Sequence, residues 1–156
     1  MKNNGKSGCT AKLGEPRKLY KKTGITFSTF DLLHAGHNLM LKEAKSVCDY
    51  LICGLHVDPK IERPNKNSPI QTLVERYIQL SSVQYVDEII PYNYESDLCD
   101  ILLGYPINIR IIGSDHKGKD FSGKDICKNK NIEIYYNERK HHFSSSELRE
   151  RIKNAI

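Results

Sequence analysis

The chain has 156 residues, 38% of them hydrophobic and 28% charged, with a formal net charge of +5. That length suits one domain with a single core, and the composition is that of a soluble globular protein. No apolar run approaches the ~18 residues of a membrane span. The polar, lysine-rich start lacks the apolar stretch of a secretory signal. No membrane association and a cytoplasmic location are therefore expected. Its lysines are spread over several loops without interleaved aromatics, which favours a nucleotide-sized polyanion over nucleic acid as the partner. Five cysteines, an odd number with no Cys-x-x-Cys pair, suit reduced thiols better than a disulfide frame.

Residues 1–22 lack periodicity and predict a flexible basic extension, with Arg17, Lys18, Lys21 and Lys22 as a solvated face; 23–156 then form the folded domain. A short strand is expected over 25–27, followed by a turn and a helix starting near His37 with Leu39, Met40, Leu41, Ala44 and Val47 as its apolar stripe. The continuous apolar run 50–55 predicts a strand covered on both faces. A polar connection over 58–69 carries Lys60, Arg63 and Lys66 among prolines at 59, 64 and 69. Next come a helix over 70–82, a strand over 86–90 stopped by Pro91, a short helix over 96–104 and a strand over 109–112 ending at Gly113. A lysine-rich loop over 114–130 leads to a last strand over 132–136. The C-terminal helix opens at Ser144-Ser145-Ser146-Glu147, which has capping-box spacing. Strands alternating with helices mean an α/β domain with a parallel five-stranded sheet, doubly wound, with its site at the carboxyl ends of the strands.

Within Phe27-Ser28-Thr29-Phe30-Asp31-Leu32-Leu33-His34-Ala35-Gly36-His37, the two histidines fall one turn apart at the mouth of a helix. A helix mouth offers unpaired N–H groups to phosphate, and imidazoles there can donate to phosphoryl oxygens as charge develops. Asp31 is expected to be structural, accepting from backbone N–H groups of the turn.

This stretch resembles the HxGH superfamily of nucleotidyltransferases, and within it the cytidylyltransferase group, whose pattern is close to Gly-Thr-Phe-Asp-x-x-His-x-Gly-His; Ser28 stands at the first glycine. Tyr85-Val86-Asp87-Glu88-Ile89-Ile90-Pro91 is similar to a block of the glycerol-3-phosphate cytidylyltransferases, with Gln84 in place of its leading arginine. Ile111-Ile112-Gly113-Ser114-Asp115 and Arg139-Lys140-His141-His142-Phe143-Ser144-Ser145-Ser146 resemble two further motifs. The resemblance implies a single Rossmann-like domain that joins CTP to a phosphorylated alcohol or sugar, such as glycerol 3-phosphate, and releases pyrophosphate. It implies His34, His37, Lys66 and Arg139 as catalytic groups. Thr29, Phe30, Gly36, Gly113, Asp115, Ser144, Ser145 and Ser146 would join His34, His37 and Arg139 in holding the nucleotide. Lys60, Arg63 and Arg76 would serve the acceptor, Mg²⁺ would arrive with the triphosphate without a dedicated metal site, and the chain would form a homodimer. A lysine that touches glycerol phosphate in those enzymes aligns near Leu98, which puts that acceptor in doubt. An adenylyltransferase of the ADP-heptose synthase type, with ATP as nucleotide, and a non-catalytic nucleotide sensor are the alternatives. His141 and His142 have no assigned duty.

Overall fold

The computed structural model describes residues 22–156. The expected N-terminal extension lies outside the described residues except for Lys22, whose ammonium pairs with Glu133 at 2.9 Å. Five parallel strands form one sheet: β1 (Thr23–Ser28), β2 (Tyr50–His56), β3 (Glu88–Tyr92), β4 (Ile109–Gly113) and β5 (Glu133–Asn137), in the order β3-β2-β1-β4-β5. The helices are α1 (Ala35–Ser46), α2 (Leu73–Ser81), α3 (Glu95–Gly104), α4 (Lys124–Asn129) and α5 (Ser145–Ala155).

Strand β2 shows why the sheet is covered twice. Ile52 packs with Leu98 and Leu102 of α3 and Cys127 of α4. Its neighbours Leu51, Cys53 and Leu55 point the other way, into a cluster with Leu41 and Ala44 of α1 and Leu80 of α2. A strand with apolar layers on both sides has no reason to alternate polar and apolar residues, so it reads as one apolar run. The chain builds outward from β1 to β3, then returns to lay β4 on the other side of β1. Loops leaving the carboxyl ends of β1 and β4 therefore diverge, and a crevice opens between them.

Several boundaries depart from expectation for local reasons. Helix α1 begins at Ala35, because the His34 ring caps it by accepting from the Gly36 N–H at 3.0 Å. Helix α2 begins at Leu73, after a reciprocal Thr72–Glu75 cap that leaves 70–71 outside the helix. Strand β3 passes through Pro91 to Tyr92; as the edge strand it can spare the missing N–H. The stretch expected as loop over 114–130 contains α4, which follows Gly123 at φ +78° and buries only Cys127. With so narrow an apolar face, its sequence reads as polar loop. Cys48, Cys53, Cys99 and Cys127 are free thiols. Among the described residues no helix is long and apolar enough to cross a membrane.

Candidate active site

The turn after β1 is strained and held from three sides. Phe30 and Leu32 adopt φ of 48° and 50°, the left-handed region that costs a residue with a side chain roughly 1–2 kcal/mol. The Asp31 carboxylate accepts from the Ile70 and Gln71 N–H groups, both at 2.9 Å, and from Arg149 of α5 at 2.7 Å. The Leu32 N–H donates to the Gln71 side chain at 2.7 Å, and the Thr29 carbonyl accepts from Arg76 at 2.9 Å. Burial pushes the Asp31 carboxyl up, but the Ile70, Gln71 and Arg149 hydrogen bonds outweigh it, and the net shift is downward. Asp31 is thus structural, although its backbone donors belong to the 70–71 segment and not to its own turn.

That scaffold sets the imidazoles. His34 Nδ1 accepts from the Gly36 N–H, and His37 Nδ1 accepts from the His34 N–H at 3.3 Å. In a neutral ring the proton then sits on Nε2, so each ring carries an Nε2–H as its donor. The rings stack with centroids 4.0 Å apart, and His37 leans on Phe30 at 5.5 Å. Burial, then the neighbouring His34, push His37 down to about 3, with the Asp31 charge opposing. Burial, Arg139 and His141 likewise lower His34. Both rings are neutral donors at neutral pH.

The C-terminal helix meets them there. His34 Nε2–H donates to Ser145 Oγ at 3.2 Å, and that hydroxyl donates to the Asp31 carbonyl at 3.3 Å. Ser144 caps α5 by accepting from the Glu147 N–H at 3.1 Å. Gly36 permits the approach: a Cβ there would stand 2.9 Å from His141 Cε1, from His34 Cε1 and from the Phe143 carbonyl oxygen. The His141 ring stacks on Phe143, and its buried Nδ1 has no partner among the described residues.

Two adjoining cavities result. The smaller, about 240 Å³, is lined by His34, Gly36, His37, Gly113, Asp115, Arg139, His141, Ser144 and Ser145. Arg139, three imidazoles and the α5 N-terminus face Asp115 as its one carboxylate, a balance suited to a polyanion. The larger, about 500 Å³, shares Met40, Gly113 and Asn137 with it and extends over Thr26, Phe27, Arg110, Tyr92, Leu98 and Phe121, with Arg63 and Glu95 in its wall. Phe27 fits there because β2 carries Gly54 beneath its ring, where a Cβ would come within 2.1 Å. Nearby His56, Glu62 and Glu95 bring potential metal ligands together, but Glu62 accepts from the Glu95 N–H and Glu95 pairs with Arg63.

A family model described as cytidylyltransferase-like matches residues 25–151, from β1 well into α5. The chain belongs to the cytidylyltransferase-like family. Glycerol-3-phosphate cytidylyltransferase of Bacillus subtilis (strain 168) is 33% identical over 132 residues, covering 84% of this chain and 97% of its own length. Ethanolamine-phosphate cytidylyltransferase of Dictyostelium discoideum is 40% identical over 90 residues, and bifunctional protein HldE of Granulibacter bethesdensis is 31% identical over 134. The matches cover 55% and 81% of this chain, respectively, but the chain spans only 24% and 27% of those two longer proteins. Among solved structures, a lipopolysaccharide core biosynthesis protein from Thermoplasma volcanium GSS1 shares the fold, with a TM-score of 0.61, 23% identity, and coverage of 78% of this chain and 98% of that one. The recognised family and the Rossmann-like parallel sheet are both as the sequence implied.

Within this cytidylyltransferase-like domain, the nucleotide residues named from sequence divide into three groups. His34, Gly36, His37, Gly113, Asp115, Arg139, Ser144 and Ser145 come together around the smaller cavity. Thr29 and Phe30 lie beneath it, the first through its carbonyl and the second buried against His37. Ser146 is exposed in the first turn of α5 and lines neither cavity. In the 58–69 connection only Arg63 reaches a cavity wall; it pairs with Glu95 at 3.0 Å while Ser68 ties the loop to Asp58 at 3.0 Å. Lys60 and Lys66 point outward, exposed, and line neither cavity.

Arg76 is a correction. It is 2% exposed, and its donors are used on the carbonyls of Gln71, Thr29, His56 and Val57. It braces the strained turn with four of its five N–H donors, and it lines neither cavity. Sequence reasoning missed Arg110, Asn137, His141 and Arg149 as functional candidates. A lone charge inside the buried strand Ile109–Gly113 is the signal for Arg110, and the i+4 spacing from Ser145 is the one for Arg149.

Proposed function

We propose that the protein is a cytidylyltransferase that joins CTP to a small phosphomonoester and releases pyrophosphate. The observation that carries this reading is the convergence of two neutral imidazoles, Arg139 and the serine-capped start of α5 on one cavity. The α-phosphate lies against the His34 and His37 Nε2–H donors, and the β- and γ-phosphates at Arg139 and the α5 N-terminus. Gly113 and Asp115 border the nucleoside, Asp115 accepting from ribose hydroxyls. The acceptor occupies the adjoining larger cavity. A phosphate oxygen of the acceptor forms the new bond to the α-phosphorus while the α–β anhydride bond breaks, and its electron pair departs on pyrophosphate. The imidazoles donate most strongly as charge gathers on the α-phosphate oxygens, so the rate comes from positioning and charge neutralisation. Mg²⁺ enters with the triphosphate and offsets its charge; Asp115 is the one carboxylate lining the smaller cavity, so no protein cage competes for the ion. A homodimer completes the reading, supported by Ile70, Val74, Tyr77 and Ile78, which are exposed on and just before α2.

Thermal shift with CTP against ATP, followed by pyrophosphate release over a panel of phosphorylated polyols and sugars, tests the proposal. Selective stabilisation by CTP and turnover with one panel member are expected. Selective stabilisation by ATP would overturn the choice of nucleotide in favour of an adenylyltransferase. Nucleotide binding without turnover on any acceptor would overturn the catalytic reading in favour of a sensor.

A further inference from the structure

The larger cavity has a cation in its floor that no partner claims. Arg110 lies on β4 and is 4% exposed, yet no carboxylate among the described residues is within ion-pairing distance. One N–H, on Nη1, donates to the Ser122 carbonyl. The guanidinium is held between two rings, 5.2 Å from the Phe27 centroid and 5.0 Å from that of Phe121. Its Nε and Nη2 groups have no hydrogen-bond partner among the described residues, and the side chain lines the cavity. A buried charge is costly unless it is paired, and two aromatic faces offset only part of that cost. A fork of N–H donors left unpaired and facing a cavity is the geometry that binds phosphate through two parallel bonds.

The same cavity has Leu98 of α3 in its wall, at the position where the resemblance leads one to expect a phosphate-binding lysine. An apolar, buried Leu98 cannot do that work. Arg110 reaches the same space from the sheet, so the cation has moved from the helix to the floor. Its setting also bears on the rest of the acceptor. The Phe27 and Phe121 faces that would attract an ammonium are occupied by the guanidinium, and Glu95 is already paired with Arg63. A positively charged head group would meet the repulsion of the guanidinium, with the Tyr92 ring already packed on Phe27 and His56. The exposed Asp120, at the rim, is the one lining carboxylate outside an ion pair. A neutral hydroxylated body finds acceptors and donors in Thr26, Ser28, Ser122 and Asn137.

We propose that Arg110 anchors the phosphate of the acceptor, and that the acceptor is a phosphorylated polyol or sugar and not a phosphorylated amino alcohol; this rests on the nucleotidyltransferase reading. The test uses the full chain as wild type, Arg110→Gln and Arg110→Lys. Each is titrated calorimetrically with glycerol 3-phosphate, inorganic phosphate and phosphoethanolamine while a non-hydrolysable methylene analogue of CTP fills the nucleotide site. Wild type is expected to bind glycerol 3-phosphate and phosphate, with phosphoethanolamine at least tenfold weaker. Arg110→Gln is expected to lose at least tenfold for both phosphates while its thermal shift with the CTP analogue stays within twofold. Arg110→Lys, which keeps the charge under the rings, should fall between them and serves if the glutamine variant does not fold. Phosphate affinity within twofold of wild type in a folded variant overturns the proposal, as does wild type that binds neither phosphate. Phosphoethanolamine bound as tightly as glycerol 3-phosphate overturns the acceptor class. If neither CTP nor ATP stabilises wild type, the nucleotide reading has failed on its own. The glycerol 3-phosphate titration without nucleotide then still decides the role of Arg110 by the same wild-type-to-variant comparison.

Discussion

Replacing Arg76 by methionine separates a brace from a binding group. The side chain is 2% exposed and makes four hydrogen bonds to backbone carbonyls, to Gln71 at 3.1 Å, Thr29 at 2.9 Å, His56 at 2.7 Å and Val57 at 2.7 Å. Methionine approximates the stem but donates nothing, so four carbonyls lose a charged donor at once. Net hydrogen bonds to charged groups are worth about 1.5–3 kcal/mol each. Arginine's own desolvation cancels part of that sum, since burial lowers its pKa against the pull of Asp31 and Asp58. Taking one partner from a buried charged network costs about 3–5 kcal/mol, and that is the expected loss. For a chain of this size it lowers Tm by roughly 10 °C. Arg76→Lys should recover little, because an ammonium cannot reach carbonyls from three separate segments. Urea unfolding followed by circular dichroism measures the change. A folded variant within about 1 kcal/mol of wild type, with a raised KM for the acceptor, would refute the bracing role and restore Arg76 to the ligand.

Two further outcomes follow from the imidazoles. His37→Ala should reduce pyrophosphate release about 10²–10³-fold, the usual effect of losing one such donor, while thermal stabilisation by CTP persists; undiminished turnover would remove His37 from the chemistry. Stability should also fall on mild acidification. His37 is held at about 3 in the folded protein against 6.5 in the free side chain, so the unfolded chain takes up a proton that the folded one refuses. The stability present above pH 6.5 is then lost at about 1.4 kcal/mol per pH unit below it, or about 2 kcal/mol by pH 5. His34 and His56, also shifted down, act in the same direction, whereas the lowered Asp31 holds its contribution until the pH falls below 3.8. Urea midpoints at pH 7, 6 and 5 check this; a slope equal in wild type and His37→Gln would show that another group carries it.

The motif-bearing parts of the site were legible because their function is local. His34 and His37 cap the first turn of α1 through their own ring nitrogens, so residues next to each other in sequence determine both the helix start and the ring orientation. The serine run at 144–146 announced a helix N-terminus for the same reason, although only Ser144 and Ser145 face the cavity. What stayed hidden depends on distant pairing. Asp31 finds its backbone donors 39 and 40 residues away, and Arg149 lies 118 away. The lysines at 60 and 66 are phosphate ligands only by the family resemblance, and a loop tied down by Ser68 and Arg63 leaves them exposed. Helix α4 escaped notice because a single buried cysteine leaves no periodic apolar stripe.

This division explains why class is easier to read than substrate. The groups proposed to face the triphosphate come from a strand-end turn and a helix cap, where sequence spacing alone constrains geometry. The groups proposed to face the acceptor come from positions whose meaning depends on the sheet: Arg110 is one charge in an apolar strand, and Leu98 is an ordinary core residue until the two are seen to line one cavity. With Arg110 as the proposed phosphate anchor, the cation sits on β4 in place of α3 and occupies the aromatic faces at the same time. On that proposal, a relative that keeps every motif of the smaller cavity changes its acceptor through buried substitutions at the larger one, and identity over the motifs carries little information about which phosphomonoester is used.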